Sequence, residues 1–168
     1  MSKYSRRKEA GFTLVELLCV VTLLGMMTAI ALPLFQDMGR KRNLEIAART
    51  MATDMRRCQQ AAILTGKEHY IEFLIYYDLY QYRINTVPKS KTEKVKFPEG
   101  VYYQSTTIAN TNGIPRLSFG ANGAPGSAGT VVLRNTAGDV LYVIVTPATG
   151  RVRISSEPPD HWEVKVIP

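Results

Sequence analysis

From Phe12 to Phe35 the chain runs 24 residues with a single charge, Glu16. About 20 apolar residues in a helix are enough to cross a bilayer, so this run decides what the rest of the chain can be attached to. Three readings compete. The first is a secretory signal, with basic residues from Lys3 to Lys8, an apolar stretch, and Ala29-Ile30-Ala31 as an A-x-A cleavage site. The second is a plain membrane anchor. The third must explain two features that the others leave idle: Gly11 just before Phe12, and a carboxylate early in the run.

Gly11-Phe12-Thr13-Leu14-Val15-Glu16 resembles the type IV prepilin signal. The resemblance implies that a dedicated prepilin peptidase, acting at the cytoplasmic side, cuts between Gly11 and Phe12 and then N-methylates Phe12. It places Pro33 where this class often bends its helix. It implies an inner (cytoplasmic) membrane location, single-pass, with the N-terminus cytoplasmic. Counting charges fixes orientation only weakly, because Arg40-Lys41-Arg42 nearly balances the basic leader.

Glu16 carries its own argument. A carboxylate among lipid tails costs on the order of 2.5–3.5 kcal/mol on insertion scales and by default marks function. The plain alternative is a glutamate that sits at the headgroup level or is protonated. The resemblance offers a partner, the freed ammonium of Phe12 on a neighbouring subunit or on the same chain. Pairing the two would make Glu16 an assembly register.

The chain has 168 residues, the size of one domain, and 45% hydrophobic against 21% charged residues excludes a wholly disordered chain. The net charge is +7, and the leader accounts for three of those charges through Lys3, Arg6, Arg7 and Lys8 set against Glu9. A mildly basic body admits an anionic partner without requiring one. Cys19 and Cys58 do not make a disulfide framework. On one helix their spacing puts them ~58 Å apart, whereas a bridge needs Cα atoms within about 7 Å. His69 and His161 are the two histidines, and no spacing resembles a zinc site.

Past Pro33 the helix is expected to continue. Leu44, Ala48, Met51, Met55, Cys58 and Ala62 recur at helical spacing, Glu45 and Arg49 form an i,i+4 pair, and Gly66 suits a C-cap. Packing of this stripe on its own domain is the default reading, with neighbouring helices in a fibre as the alternative. From His69 the pattern changes to strands: His69–Tyr77, Tyr80–Val87 after a turn near Asp78, Lys94–Phe97, Val101–Thr107, Arg116–Phe119, Thr130–Arg134, Val140–Thr146, Arg151–Ser155 and Trp162–Val166. Pro88–Glu93 reads as a solvated loop, and residues 109–129 as a long loop around one short strand. The expected organisation is a leader at 1–11, a transmembrane or filament-core helix at 12–35, an amphipathic continuation at 36–66 and a head at 67–168. The fold class is α+β: a long N-terminal transmembrane α-helix packed by its C-terminal half on an antiparallel β-sheet head.

Most of the chain resembles the FimT/GspH family of minor pilins and pseudopilins. The matching stretches are the prepilin helix, Arg57-Cys58-Gln59-Gln60-Ala61-Ala62, Phe97-Pro98-Glu99-Gly100-Val101, Phe119–Pro125, Gly129–Leu133 and Thr149-Gly150-Arg151-Val152-Arg153-Ile154. In a strand, Arg151 and Arg153 share one face about 7 Å apart while Val152 and Ile154 take the other. Two such guanidiniums can contact successive phosphates without reading sequence. Some FimT-type minor pilins bind DNA through a GRxR motif, and the resemblance extends that role to Arg151 and Arg153; a solvated strand face is the alternative. Lys89, Lys91, Lys94 and Lys96 form a second basic cluster, with Lys94 and Lys96 as further DNA-binding candidates against the simpler reading of an edge strand that discourages pairing. The tyrosines are explained by alternating core and surface sheet positions, with base stacking the alternative.

No nucleophile–base pair, phosphate-cradling loop or diagnostic carboxylate pair points to catalysis, so no enzyme activity, cofactor or metal is expected. The implied partners are the prepilin peptidase, other pilin or pseudopilin subunits, the inner membrane, and DNA through its backbone phosphates. Three functions stay open: a DNA-binding minor pilin, a type II secretion pseudopilin with no DNA affinity, and a conventional secreted β protein cut near Ala31.

Overall fold

The computed structural model describes residues 12–84 and 91–159, with the side chains of residues 30–36, 84 and 91 outside that description. The leader with Gly11, the segment Pro88-Lys89-Ser90 and the strand expected at Trp162–Val166 lie outside the described residues. Helix α1 spans Leu14–Thr65, and its backbone is helical at Pro33. Two compact units divide the chain between Met38 and Gly39; the second is the head.

Within the head, Leu44, Ala48, Met51, Met55, Cys58 and Ala62 are all buried, each 2% exposed or less, and Ala47 and Ala52 widen the stripe. The stripe is therefore the helical wall of the head's own core. Small side chains at four of these positions let the helix backbone approach the sheets closely. Gly66 ends the helix at φ 64°, the left-handed value that a residue without a Cβ adopts at little cost.

Among the described residues nine strands follow: β1 His69–Leu74, β2 Leu79–Ile84, β3 Lys91–Lys96, β4 Val101–Thr106, β5 Asn110–Thr111, β6 Ile114–Phe119, β7 Gly129–Asn135, β8 Val140–Val145 and β9 Val152–Ser155. They form a five-stranded sheet, β3-β2-β1-β6-β5, and a four-stranded sheet, β4-β7-β8-β9. Every pairing is antiparallel. Both sheets contribute to one core with α1. Phe73 and Tyr80 come from one sheet, Tyr103 from the other, and Phe97 from the connection between them. The Phe97 and Tyr103 rings meet edge-on at 4.7 Å between centroids, a favoured aromatic geometry.

Three expectations from the sequence need correction. The first expected strand stops at Leu74, because Ile75–Tyr77 form a 3-10 turn closed by Asp78 at φ 48°. Lys91–Glu93 are strand rather than loop: they pair with Ile84, Arg83 and Tyr82, so the β2–β3 ladder runs the full length of both strands. Residues 109–129 hold a hairpin, β5–β6, instead of a single short strand. Its two-residue turn, Asn112-Gly113, has φ 54° and 82°, the paired positive values of the tightest hairpin turns.

Candidate functional site

The helix start and the β9 edge carry the residues singled out from the sequence. At the helix start, the Thr13 backbone N–H and hydroxyl both donate to Glu16 Oε2 at 3.4 Å, and the Glu16 N–H donates to Thr13 Oγ1 at 3.3 Å. This reciprocal arrangement is a capping box, which satisfies helix N–H groups that have no partner inside the helix. The Thr13-x-x-Glu16 spacing was present in the sequence as its signal. The same bonds hold the Glu16 carboxylate against the backbone next to Phe12. Phe12 is 82% exposed, and the large apolar side chains from Leu14 to Met27 are exposed as well. Among the described residues no helix is long and apolar enough to cross a membrane; the apolar run counted in the sequence includes residues 30–35, whose side chains lie outside them.

At the other site, the β8–β9 turn closes with the Gly150 N–H donating to Thr146 O at 2.9 Å and the Thr146 N–H to Arg151 O at 3.0 Å. Gly150 has φ 62°, and a Cβ there would stand 2.6 Å from Gln59 Nε2 and 3.1 Å from Gly123 O. A side chain there would push the Gln59 amide aside and crowd the Gly123 carbonyl and Pro125, at a left-handed φ that other residues rarely adopt. Immediately after it, Arg151 is exposed, Val152 is buried and Arg153 is exposed. The alternation expected of the strand therefore places both guanidiniums on the surface.

Helix α1 holds this edge from beneath. Arg56 Nη2 donates to Val152 O at 2.9 Å, and Gln59 Nε2 donates to Gly123 O at 2.8 Å and Thr149 O at 3.4 Å. Arg56 thus stands as a third guanidinium beside Arg151 and Arg153. Arg56 was missed in the sequence; its signal was the i,i+3 spacing to Gln59 along the flank of the apolar stripe. A cleft of about 580 Å³ opens nearby, lined by residues including Leu44, Arg49, Asp139, Leu141 and Ile154. Neither Arg151 nor Arg153 lines it, so their site is an exposed strand edge rather than a pocket.

Lys94 and Lys96 are exposed on β3, the edge of the other sheet. Helix geometry separates the two basic groups. Asp54 bonds Tyr80 of β2, whereas Arg56 bonds Val152 of β9, and two residues on a helix differ by about 200° in direction. The sheet edges β3 and β9 therefore flank opposite sides of α1, and the structure does not bring Lys94 and Lys96 together with Arg151 and Arg153.

Between the two edges the chemistry is that of a closed core. Burial, reinforced by the Asp54 charge, pushes the Cys58 thiol up to about 12. Burial and the bond to Asp54 likewise raise Tyr80, and burial raises Tyr103. Such groups are inert near neutral pH. The buried His69 has Nδ1 at 2.9 Å from Lys67 O and Nε2 at 3.5 Å from Thr65 Oγ1, a satisfied residue at the helix–strand joint.

Comparison with known proteins agrees with this architecture. Residues 6–32 match the prokaryotic N-terminal methylation motif, and residues 47–150 match the model of the type II transport protein GspH. Two fimbrial proteins of Pseudomonas aeruginosa are each 36% identical over 62 residues, 37% of this chain. The fimbrial protein EcpB of Eikenella corrodens is 57% identical over 30 residues, 18% of this chain. The chain spans 40% of the length of the Pseudomonas relatives and 19% of EcpB. Among solved structures, the minor pseudopilin EpsH from the type 2 secretion system of Vibrio cholerae superimposes with a TM-score of 0.55 at 14% identity, covering 67% of this chain and 96% of that one. The type IV minor pilin FimU of Pseudomonas aeruginosa gives 0.54 at 13% identity, covering 71% and 95%. At these identities the likeness is one of fold. With an N-terminal methylation motif, a helix packed on an antiparallel β head and a GspH model matched across most of the head, the chain belongs to the GspH family of minor pilins and pseudopilins.

Proposed function

We propose that this chain is a filament subunit stored in the inner membrane, cut between Gly11 and Phe12, N-methylated at Phe12, and assembled with its head outside the cytoplasm. It acts through assembly and recognition rather than catalysis. The helix from Phe12 to Phe35 passes from bilayer to fibre core, with Pro33 available to bend it. Glu16 sets register by pairing with the Phe12 ammonium of a neighbouring subunit. The capping box supports this reading, because it fixes the carboxylate one turn from the position where that ammonium forms.

The head's reading is capture of DNA by its phosphates. One observation carries it: Arg151 and Arg153 are both exposed on either side of a buried valine, at an edge where Arg56 adds a third guanidinium. This arrangement suits a row of phosphates and offers no base readout. Lys94 and Lys96, across the helix, belong to a separate contact on this reading. The test is DNA binding by the full chain in detergent at two salt concentrations, beside the Arg151→Ala/Arg153→Ala variant. Losing two phosphate contacts should weaken binding and lower the slope of log affinity against log salt by roughly 2. A variant that binds as tightly as the natural chain would remove these arginines from the site. Absence of binding by the natural chain at low salt would favour the second reading, a type II secretion pseudopilin that contacts other pseudopilin heads. The description of the matched family, a type II transport protein, supports that second reading.

A further inference from the structure

Within the head, Tyr76 is 97% and Tyr77 is 70% exposed, on the 3-10 turn between β1 and β2. That turn buries no residue, so neither ring serves the core. The turn is nonetheless held firmly by Asp78. Its N–H donates to Ile75 O at 3.4 Å, its carbonyl accepts from Phe97 N at 3.1 Å, and its Oδ1 accepts from Tyr103 N at 3.1 Å. Two aromatic rings are thus presented to solvent on a fixed support.

Their place in the head is set by the next link. Two residues after Phe97, Glu99 O accepts a 3.2 Å bond from Asn43 Nδ2 on α1. With the chain's limited reach per residue, this puts the Asp78 carbonyl within about 16 Å of the Asn43 amide. The tyrosine turn therefore lies at the pole of the head where α1 comes in. That pole is basic. Arg40, Lys41 and Arg42 are exposed on the helix just before Asn43, and exposed Lys96 pairs across β3–β2 with Leu79, next to the turn. Opposing charges near it include Asp37, three residues before Arg40 on the helix, Glu99, and Asp139 at 3.8 Å from Lys41. In sequence, Arg40 follows the end of the apolar run at Phe35 by five residues.

Tyrosine, with an apolar ring and a polar tip, settles at the headgroup level of bilayers, and clustered Lys and Arg are drawn to anionic lipid surfaces. We propose that this pole is a lipid-facing pad: Tyr76 and Tyr77 seat among the headgroups of an anionic bilayer while Lys96 and Arg40-Lys41-Arg42 contact lipid phosphates. The pad rests on the reading that the chain is stored in a membrane. It would hold the head on the membrane surface before assembly and release it when the helix leaves the bilayer.

The test uses the full chain carrying Trp162→Phe and Tyr76→Trp, so that one tryptophan reports from the turn. It is reconstituted in nanodiscs of phosphatidylcholine alone or mixed with phosphatidylglycerol, with a detergent sample as reference. The pad predicts blue-shifted emission, a several-fold drop in iodide quenching in the anionic discs, and quenching by lipids brominated near the headgroup. Adding Arg42→Gln and Lys96→Gln should reverse much of that protection. Emission and iodide quenching that are identical in detergent and both discs overturn the pad. So does protection that grows with copies per disc and ignores brominated lipid, which would mark a contact between subunits. Chain that fails to float with the discs overturns the storage reading itself, an outcome distinct from floated chain with an exposed tryptophan.

Discussion

Tyr80 donates a 2.7 Å hydrogen bond to Asp54 Oδ2, tying the start of β2 to the C-terminal part of α1 inside the core. Asp54 is 5% exposed, and Arg57 Nη1 stands 3.5 Å from its Oδ1. A buried carboxylate deprived of a donor is costly, so Tyr80→Phe should destabilise the head by about 1.5–3 kcal/mol. Asp54→Asn/Tyr80→Phe should recover part of that loss, because it removes the charge the hydroxyl served. Denaturant unfolding of the four chains in a double-mutant cycle checks the coupling.

Stability should fall at alkaline pH. Cys58 is raised from an ordinary 9.0 to about 12, and Tyr80 and Tyr103 are raised from 10.0. Each group is neutral in the folded state where the unfolded chain would ionise. Stability is therefore full below about pH 9 and declines as pH climbs above it, by on the order of 1.4 kcal/mol per pH unit for each group engaged. Unfolding midpoints measured from pH 7 to pH 11 check this, and Cys58→Ala should flatten the stretch just above pH 9.

Gly150→Ala should disturb the arginine edge without touching an arginine. The added Cβ meets Gln59 Nε2 and the Gly123 carbonyl at a left-handed φ. The strain should cost about 1–3 kcal/mol. It should also loosen the amides around Arg151–Arg153, measurable by hydrogen exchange. Unchanged exchange there would mean that Gly150 does not set the position of the edge.

Glu16 has two separable roles. Glu16→Gln keeps an acceptor for the Thr13 N–H but removes the charge, whereas Glu16→Ala removes both. If register depends on pairing with the Phe12 ammonium, both variants should be cleaved normally and both should enter filaments poorly. Normal incorporation of the glutamine variant would leave the cap as the relevant role. Immunoblots of membrane and sheared-filament fractions distinguish the outcomes.

The sequence by itself determined what local pattern can encode. The prepilin-like start, the 3.6-residue stripe from Leu44 to Ala62, the helix stop at Gly66 and most strands follow from spacing and residue type, because each is fixed by neighbours a few positions away. The Asn112-Gly113 hairpin and the Thr13–Glu16 box have local signals too, a turn dipeptide and a Thr-x-x-Glu spacing. The tertiary structure alone decided the rest. It divided the strands into two sheets and joined Tyr80 to Asp54 across 26 positions of chain. It brought Arg56 to Val152 across 96 positions and set Lys94 and Lys96 on the far side of the helix from Arg151 and Arg153. Such pairings depend on which surfaces bury each other, and that is settled by the packing of the whole core rather than by any window of sequence.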